Sequence, residues 1–264
     1  MNKDSVGYWN KVAGTMRCRE FHLDPALGRI KREAYVDLLN RWAPVHRRGR
    51  VLKTDLFEEA FGTDALLPDL AAEAREVVGI DLAPRTAGHA WQRHGAAPVA
   101  FLGTDVRRLP FRDESFDLIL SPSTLDHFPD PTDLGRSLRE LRRLLKPDGR
   151  LVITLDNRQN IFYPLLRLAD RLGLIPFYLG SFYTIGEMVR ELENAGFHVV
   201  GRTAIVHNPR LLAVGSVMMA RALRWGGFQR AVERLWRGAQ RLERSRWRYR
   251  TGTFLACAAE KVCP

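Results

Sequence analysis

Short apolar runs alternate with amphipathic stretches along most of this 264-residue chain. The runs at 76–82, 116–121 and 149–154 show little polar alternation, which is typical of parallel strands buried on both faces. Further strands are predicted at 50–56, 98–102, 197–206 and 251–261.

Helical periodicity fills the intervals between these strands. Helices are predicted at 28–42, 66–74, 85–94 and 184–195. Another helix, stopped by Pro147 and Gly149, presents one apolar face through Leu134, Leu138, Leu141, Leu144 and Leu145. The repeated alternation predicts an α/β fold with a doubly wound parallel sheet.

Three regions follow from this pattern. We predict an N-terminal helical cap over 1–49, a core formed by 50–207 plus 251–264, and a helical basic insertion over 208–250. The insertion precedes the last strand and divides into an apolar part, 211–225, and a basic helix, 228–250.

Arginine gives the chain a formal charge of +11, and ten arginines fall within 221–250. Such an excess is compatible with a nucleic-acid partner, an anionic lipid partner or merely an arginine-rich proteome. No RNA-binding module is recognisable, so a nucleic-acid partner is not favoured. The basic helix carries Phe228, Val232, Leu235, Trp236, Ala239 and Leu242 on one side. This pattern suits either peripheral membrane contact or ordinary packing against the core.

Cysteine usage and the N-terminus bear on location. Cys18, Cys257 and Cys263 form no CxxC pair, so neither a disulfide framework nor a metal site is predicted. The N-terminus lacks the apolar core of a secretory signal. We therefore predict a cytoplasmic protein, with contact at a membrane surface left open.

Residues 111–154, which read FRDESFDLILSPSTLDHFPDPTDLGRSLRELRRLLKPDGRLVIT, carry a family resemblance. This stretch resembles the second half of a class I S-adenosylmethionine-dependent methyltransferase, of the kind that includes the ubiquinone and menaquinone biosynthesis enzymes. The resemblance implies a mostly parallel, seven-stranded, Rossmann-like sheet. It also implies S-adenosyl-L-methionine as cofactor.

The resemblance assigns cofactor-binding roles at strand ends. Asp81 stands where the family has an acid that accepts hydrogen bonds from the ribose hydroxyls, and Leu82 follows it. Asp105 and Val106 stand where the adenine is recognised. Ser121, at the end of the fourth strand, is predicted to join this site. Asp81 could also serve as a helix cap, and Asp105 as a turn residue.

The first strand departs from the family pattern. It continues as VLKTDLFEEAFG, with Lys53 in place of the expected acid, Asp55 in place of the first glycine, and no glycine before Gly62. Either the loop is rebuilt, with Asp55, Glu58 or Glu59 receiving the cofactor's ammonium, or the site has decayed. Retention of Asp81 and Asp105 favours a rebuilt loop.

Catalytic and substrate-binding residues are predicted nearby. His127 is the candidate general base, although a packing role for it is equally compatible with the sequence. Asp156 and Asn157, together with Tyr163 and Tyr183, are predicted to bind substrate. The apolar segment 161–182 would form a wall, and Tyr8, Trp9 and His22 would close over the site.

These assignments predict O- or C-methylation of a small, apolar or partly apolar metabolite. A non-catalytic scaffold or a cyclase on the same fold is one alternative, suggested by the altered first loop. A nucleic-acid methyltransferase is another, but SPSTLDHF stands after the fourth strand in place of an Asn-Pro-Pro-Tyr or Asp-Pro-Pro-Tyr sequence. Oligomeric state is left open.

Overall fold

A computed structural model describes residues 6–16, 24–175, 178–223 and 226–262. Within these ranges, seven strands form one sheet in the order β3-β2-β1-β4-β5-β7-β6. The strands are β1 (Arg50–Lys53), β2 (Glu76–Asp81), β3 (Val99–Gly103), β4 (Phe116–Pro122), β5 (Leu145–Asp156), β6 (Phe197–Ile205) and β7 (Phe254–Lys261).

Strands β1 to β5 pair in parallel, and only β7 runs antiparallel to its neighbours β5 and β6. Strand order reverses between β1 and β4, which is where open α/β sheets bind ligands. The predicted doubly wound, mostly parallel seven-stranded sheet is confirmed.

Helices cover both faces of the sheet. In chain order they are α1 (Val6–Met16), α2 (Pro25–Trp42), α3 (Phe57–Phe61), α4 (Leu67–Glu73), α5 (Pro84–His94), α6 (Thr132–Leu144), α7 (Tyr163–Arg171), α8 (Ile185–Asn194), α9 (Arg210–Ala222), α10 (Gly226–Ala239) and α11 (Arg248–Thr251). One buried cluster joins α6 and α8 to the sheet, and a second joins α2, α4 and α5 to the opposite face. Neighbouring strand residues alternate between the clusters, as the pleat requires.

Helix α6 ends earlier than its apolar spacing predicts. Leu145 belongs to β5 and pairs with Phe116, so Pro147 and Gly149 lie within the strand rather than stopping the helix. Leu145 remains fully buried, because its strand position also faces the core. An apolar residue at a helical interval cannot by itself distinguish these two placements.

The insertion folds against the core as a helical pair. Val217 and Ala220 of α9 pack with Val232 of α10, and Trp236 Nε1 donates to Ser216 Oγ at 2.9 Å. Helix α10 ends at Ala239, so the predicted basic helix over 228–250 is divided into shorter pieces. Packing explains the apolar side of α10, apart from Leu235, which is exposed.

The proposed boundaries at 1–49, 50–207 and 208–250 stay a prediction, as does membrane contact. Among the helices that the structure describes, none combines the length and apolar character needed to cross a bilayer.

Candidate functional site

The carboxyl ends of the strands open into a cavity of about 210 Å³. Seven of the predicted cofactor-binding and catalytic residues lie on its wall: Asp55, Glu58, Asp81, Leu82, Asp105, Val106 and His127. Sheet order places the ends of β3, β2 and β1 on one side of the cavity. The ends of β4 and β5 and the start of β7 lie on the other.

Asp81, at the end of β2, is fixed by backbone donors. Its Oδ1 accepts from the Ala83 N–H at 2.7 Å, and its Oδ2 accepts from the Leu56 N–H at 3.2 Å. Burial raises the pKa of Asp81 to about 6, although these two hydrogen bonds act in the opposite direction. Each carboxylate oxygen can accept a further hydrogen bond, so Asp81 remains able to bind ligand hydroxyls.

Asp105, after β3, is engaged by a neighbouring cation. The Arg107 guanidinium lies 2.6 Å from Asp105 Oδ2 and also bridges to Asp133 at 2.7 Å. Burial would raise the pKa of Asp105, but its hydrogen bonds with Arg107 outweigh burial and lower that pKa. Arg107 in turn stacks over the Phe128 ring, 5.1 Å from its centroid. A ligand at Asp105 therefore meets an ion-paired carboxylate.

The altered loop after β1 directs its lysine away from the cavity. Lys53 is 1% exposed, its Nζ donates to Glu59 Oε2 at 2.8 Å, and it also reaches the Asp55 carbonyl. Glu59 is fully buried and accepts from the Leu66 N–H at 3.0 Å. Glu59 is therefore not on the cavity wall, in contrast to the sequence-based alternative that it receives an ammonium.

Backbone conformation explains why this loop tolerates the loss of glycine. Residues with positive φ occur elsewhere in the described chain, and none lies between Lys53 and Gly62. Helix α3 begins at Phe57, directly after the turn, and the Phe57 N–H is capped by Asp55 Oδ1 at 2.7 Å. No position in this turn therefore requires the conformational freedom of glycine.

Glu58 projects from α3 into the cavity. Its Oε1 binds Lys31, which also pairs with Asp64 at 3.0 Å, whereas its Oε2 is buried and has no hydrogen-bond partner in the described parts of the chain. Burial opposes ionisation, but Lys31 and Lys53 lower the pKa of Glu58 to about 2. The adjacent Asp55 has a raised pKa because it is buried and lies beside Glu58. Glu58 is therefore the anionic member of this pair.

His127, after β4, lies on the opposite side of the cavity. Its Nδ1 is buried without a hydrogen-bond partner among the residues placed by the structure. Burial lowers the pKa of His127, with Asp156 acting against that effect. The Trp9 ring packs edge-on against the imidazole at 5.8 Å. The geometry gives His127 a neutral ring with an available nitrogen, as a proton acceptor requires.

Other predicted site residues lie outside the cavity lining. Ser121 is fully buried, and its Oγ accepts from Thr54 Oγ1 at 2.9 Å. Asp156 is buried behind the wall and lies 3.6 Å from Arg210. Asn157 donates from Nδ2 to two backbone carbonyls, each at 2.8 Å. Asn157 thus connects β5 to the chain just before β7, and its side chain is not directed at the cavity.

The predicted apolar wall does not reach the cavity either, as far as residues 161–175 and 178–182 are described. Tyr163 packs on Phe182 with ring centroids 4.9 Å apart, and two leucines of α7, Leu165 and Leu168, face solvent. Tyr183 pairs through its backbone with Asn157 and packs against the core. Tyr163 and Tyr183 are therefore placed beside the site rather than on its wall.

Helix α1 supplies part of the cavity wall instead. Trp9, Val12 and Ala13 line the cavity, and Tyr8 accepts from the Tyr178 N–H at 3.0 Å. His22 lies outside the described residues. Sequence reasoning missed Lys31, Arg210 and Phe254, which also line the cavity. The sequence pattern around these three residues does not indicate a site, because each lies far along the chain from the recognisable motifs.

Metal ligation has no support in the part of the chain that is described, where no three His, Cys, Asp or Glu residues cluster suitably.

Residues 57–153 match the family model described as "Methyltransferase domain". A Mycobacterium tuberculosis protein named "Probable S-adenosylmethionine-dependent methyltransferase" is 26% identical over 204 residues, covering 72% of this chain and 69% of that protein. The ubiquinone/menaquinone biosynthesis C-methyltransferase UbiE of Desulfotalea psychrophila is 29% identical over 140 residues, covering 52% of each chain.

Solved structures share the fold. The N-methyltransferase NodS from Bradyrhizobium japonicum, in complex with S-adenosyl-L-homocysteine, superposes with a TM-score of 0.56 at 17% identity and covers 88% of this chain and 87% of its own. The [4+2]-cyclase SpnF superposes with a TM-score of 0.57 at 19% identity, covering 87% and 80%. At these identities the structures support the fold alone.

Proposed function

Since the chain belongs to the class I S-adenosylmethionine-dependent methyltransferases, we propose that it binds S-adenosylmethionine in this cavity and methylates a small, partly apolar molecule. Matching residues 57–153 and the sheet order support the family.

The observation that carries the proposal is the unpartnered Glu58 Oε2. It belongs to an ionised carboxylate on the same cavity wall as Asp81. A buried anionic oxygen without a donor is costly unless a ligand supplies one. The ammonium of the cofactor's methionine part would supply that donor. Asp81 would accept from the ribose, while Leu82 and Val106 offer apolar contacts to the adenine.

The bound cofactor would supply an electrophilic methyl group on a sulfonium. The protein would hold the acceptor in line and exclude water, which is the main requirement for such a displacement. His127 would take the proton from an acceptor hydroxyl or activated carbon through its free nitrogen. Trp9 packs edge-on against the imidazole, and burial of the ring lowers the pKa of His127, which favours the neutral form.

The acceptor side of the cavity supports a partly apolar substrate. Trp9 and Phe254 contribute aromatic surface there, whereas Phe128 lies beneath Arg107 beside Asp105. A site with one neutral base is suited to methylation of an oxygen or a carbon atom, and we propose one of these as the acceptor atom. We also propose a cytoplasmic location.

A direct test is calorimetric titration with S-adenosylmethionine and S-adenosylhomocysteine. We expect saturable binding to wild type and much weaker binding to Asp81→Asn, because that variant loses the charge that accepts the ribose hydroxyls. Ser137→Ala, a buried substitution distant from the cavity lining, serves as the control. Absence of binding to folded wild type would reject the proposal.

The Arg107–Asp105 pair favours a second candidate, a scaffold or cyclase that uses the cavity without methyl transfer. Arg107 occupies the carboxylate that would otherwise bind adenine. Under this candidate, Arg107→Gln would not change cofactor binding, and labelled methyl groups would not appear in any acceptor. Increased affinity in Arg107→Gln would instead indicate a working adenine site.

The arginine-rich insertion gives less support to a nucleic-acid substrate. Arg221 pairs with Asp24 at 2.5 Å, and Arg237 lies 3.8 Å from Glu33. These intramolecular contacts use part of the positive charge to hold the insertion against α2. A steep fall of oligonucleotide affinity with salt would restore that candidate.

A further inference from the structure

Arg210 is the first residue of α9, and its side chain reaches the cavity wall from the insertion. Its guanidinium carbon lies 5.7 Å from the centroid of the Phe254 ring. One guanidinium nitrogen lies 3.6 Å from Asp156 Oδ1, which is near enough for charge attraction but beyond hydrogen-bond distance. Ring and carboxylate together hold Arg210 in place.

The donors of Arg210 have no acceptor within the described chain. A guanidinium carries five N–H donors, and none of them makes a hydrogen bond to another placed residue. Its side chain is only 30% exposed, so the charge is partly removed from water. By contrast, Lys31, which also lies over Phe254, is occupied by Glu58 and Asp64.

Sheet topology places Arg210 away from the strand ends that would hold the ribose and adenine of the cofactor. Phe254 begins β7 and pairs with Asp156 of β5 and Ile205 of β6. Asp81 and Asp105 follow β2 and β3, on the other side of the switch point. A group bound by Arg210 would therefore lie apart from the ribose and adenine of the cofactor. Because Lys31 connects Glu58 to the Phe254 ring, anion binding that persists with saturating S-adenosylhomocysteine is what assigns the site to the acceptor rather than to the cofactor's own carboxylate.

We propose that the methyl acceptor carries an anionic group, a carboxylate or a phosphate, that Arg210 binds while Phe254 contacts the adjoining apolar part. This inference rests on the proposed function, because it concerns the acceptor side of the same cavity. Asp156 acts as a positioning residue for Arg210. The substrate under this proposal is an amphiphilic acid, with an anionic group and an apolar part.

The test uses three probes that share one alkyl chain: octanoate, octyl phosphate and uncharged 1-octanol. Each is titrated calorimetrically at pH 8 into wild type and Arg210→Gln, with and without saturating S-adenosylhomocysteine. Arg237→Gln is the matched control, since it removes an exposed arginine of the same insertion. Comparing octanoate with octyl phosphate identifies which anion the site prefers.

We expect at least one anionic probe to bind wild type and Arg237→Gln about 10-fold or more tightly than 1-octanol, as for a charge-assisted hydrogen bond. Arg210→Gln should lose that preference. Three results would overturn the inference: equal binding of all three probes to wild type, a preference that persists in Arg210→Gln, or a preference that disappears with saturating S-adenosylhomocysteine, which would assign Arg210 to the cofactor's own carboxylate.

A second Arg210 variant and the titration with S-adenosylhomocysteine provide two further tests. If Arg210→Gln does not fold, Arg210→Lys replaces it and should bind the anion more weakly than wild type, because an ammonium cannot make the paired contact of a guanidinium. Unchanged affinity in that variant would contradict the inference. Failure to bind S-adenosylhomocysteine would reject methyl transfer, while the probes without cofactor would still decide whether Arg210 binds an anion.

Discussion

Lys53 Nζ lies 2.8 Å from Glu59 Oε2, and the two side chains are 1% and 0% exposed. This buried ion pair occupies the strand end where the family resemblance predicts an acid. Burial disfavours the charged lysine, but the nearby carboxylates, Glu59 first among them, give Lys53 a raised pKa. Glu59 and Glu58 are adjacent on α3 and therefore point in different directions, so one pairs with Lys53 and the other faces the cavity.

Lys53→Met should destabilise the protein by about 3–5 kcal/mol, because it leaves a buried carboxylate without its cation. The double variant Lys53→Met with Glu59→Gln should lose much less than the sum of the single changes. Urea unfolding of all four proteins measures this coupling. The control is Lys146→Met, a half-exposed pair with Asp117, for which we expect a loss of at most about 1 kcal/mol. Additive losses at Lys53 and Glu59 would contradict a coupled pair.

Cofactor affinity should depend on pH through Asp81. Its pKa is raised to about 6, and the ionised form is the one that accepts hydroxyl hydrogen bonds, so affinity is lost as pH falls through that value. We expect S-adenosylhomocysteine to bind about tenfold more weakly at pH 5 than at pH 7.5. Calorimetry on Asp81→Asn should give weak binding that changes little over this range. The same pH dependence in wild type and variant would assign the titration to another group.

Trp9 should control the protonation of His127. Burial keeps the pKa of this histidine below its usual value of about 6.5, and Trp9 forms part of the cover. Trp9→Ala should raise the pKa toward 6.5, measured by NMR titration with His127→Gln identifying the resonance. Methyl transfer should fall as pH drops through the pKa of the protein tested. An unchanged pKa in Trp9→Ala would show that the helix does not shield the ring.

The sheet could be predicted because its strands are short and apolar, and because strands and helices alternate along most of the chain. Asp81 and Asp105 could be located because Asp81 ends β2 and Asp105 lies two residues after the end of β3. Leu145 was assigned to the wrong element because a helical interval and a buried strand position demand the same residue type. The local hydrophobic pattern therefore predicts the presence of a strand more accurately than it predicts the residues at which the strand begins and ends.

The presence of Arg210 and Phe254 on the cavity wall could not be predicted, because it depends on the contact of distant chain segments. Arg210 and Phe254 are separated by the insertion, and only antiparallel pairing of β7 brings Phe254 beside Asp156. Asn157 was predicted to bind substrate from its position after β5, but its amide satisfies backbone carbonyls near β7. This structural role of Asn157 can be recognised only when the position of the segment before β7 is known.

The sequence alone could not predict which of Glu58 and Glu59 faces the cavity. Both glutamates were available as ammonium receptors, since the chain does not reveal which one Lys53 would take. In the structure, Glu59 pairs with the buried Lys53, whereas Glu58 lines the cavity.

The most direct measurement compares S-adenosylhomocysteine with 5′-methylthioadenosine, which lacks the amino-acid part, on wild type and Glu58→Gln. If Glu58 receives the ammonium, the substitution should weaken S-adenosylhomocysteine about 10- to 100-fold, as for loss of a charge-assisted hydrogen bond. Binding of 5′-methylthioadenosine should hardly change. Equal effects on the two ligands, or none on either, would contradict a rebuilt cofactor site centred on Glu58.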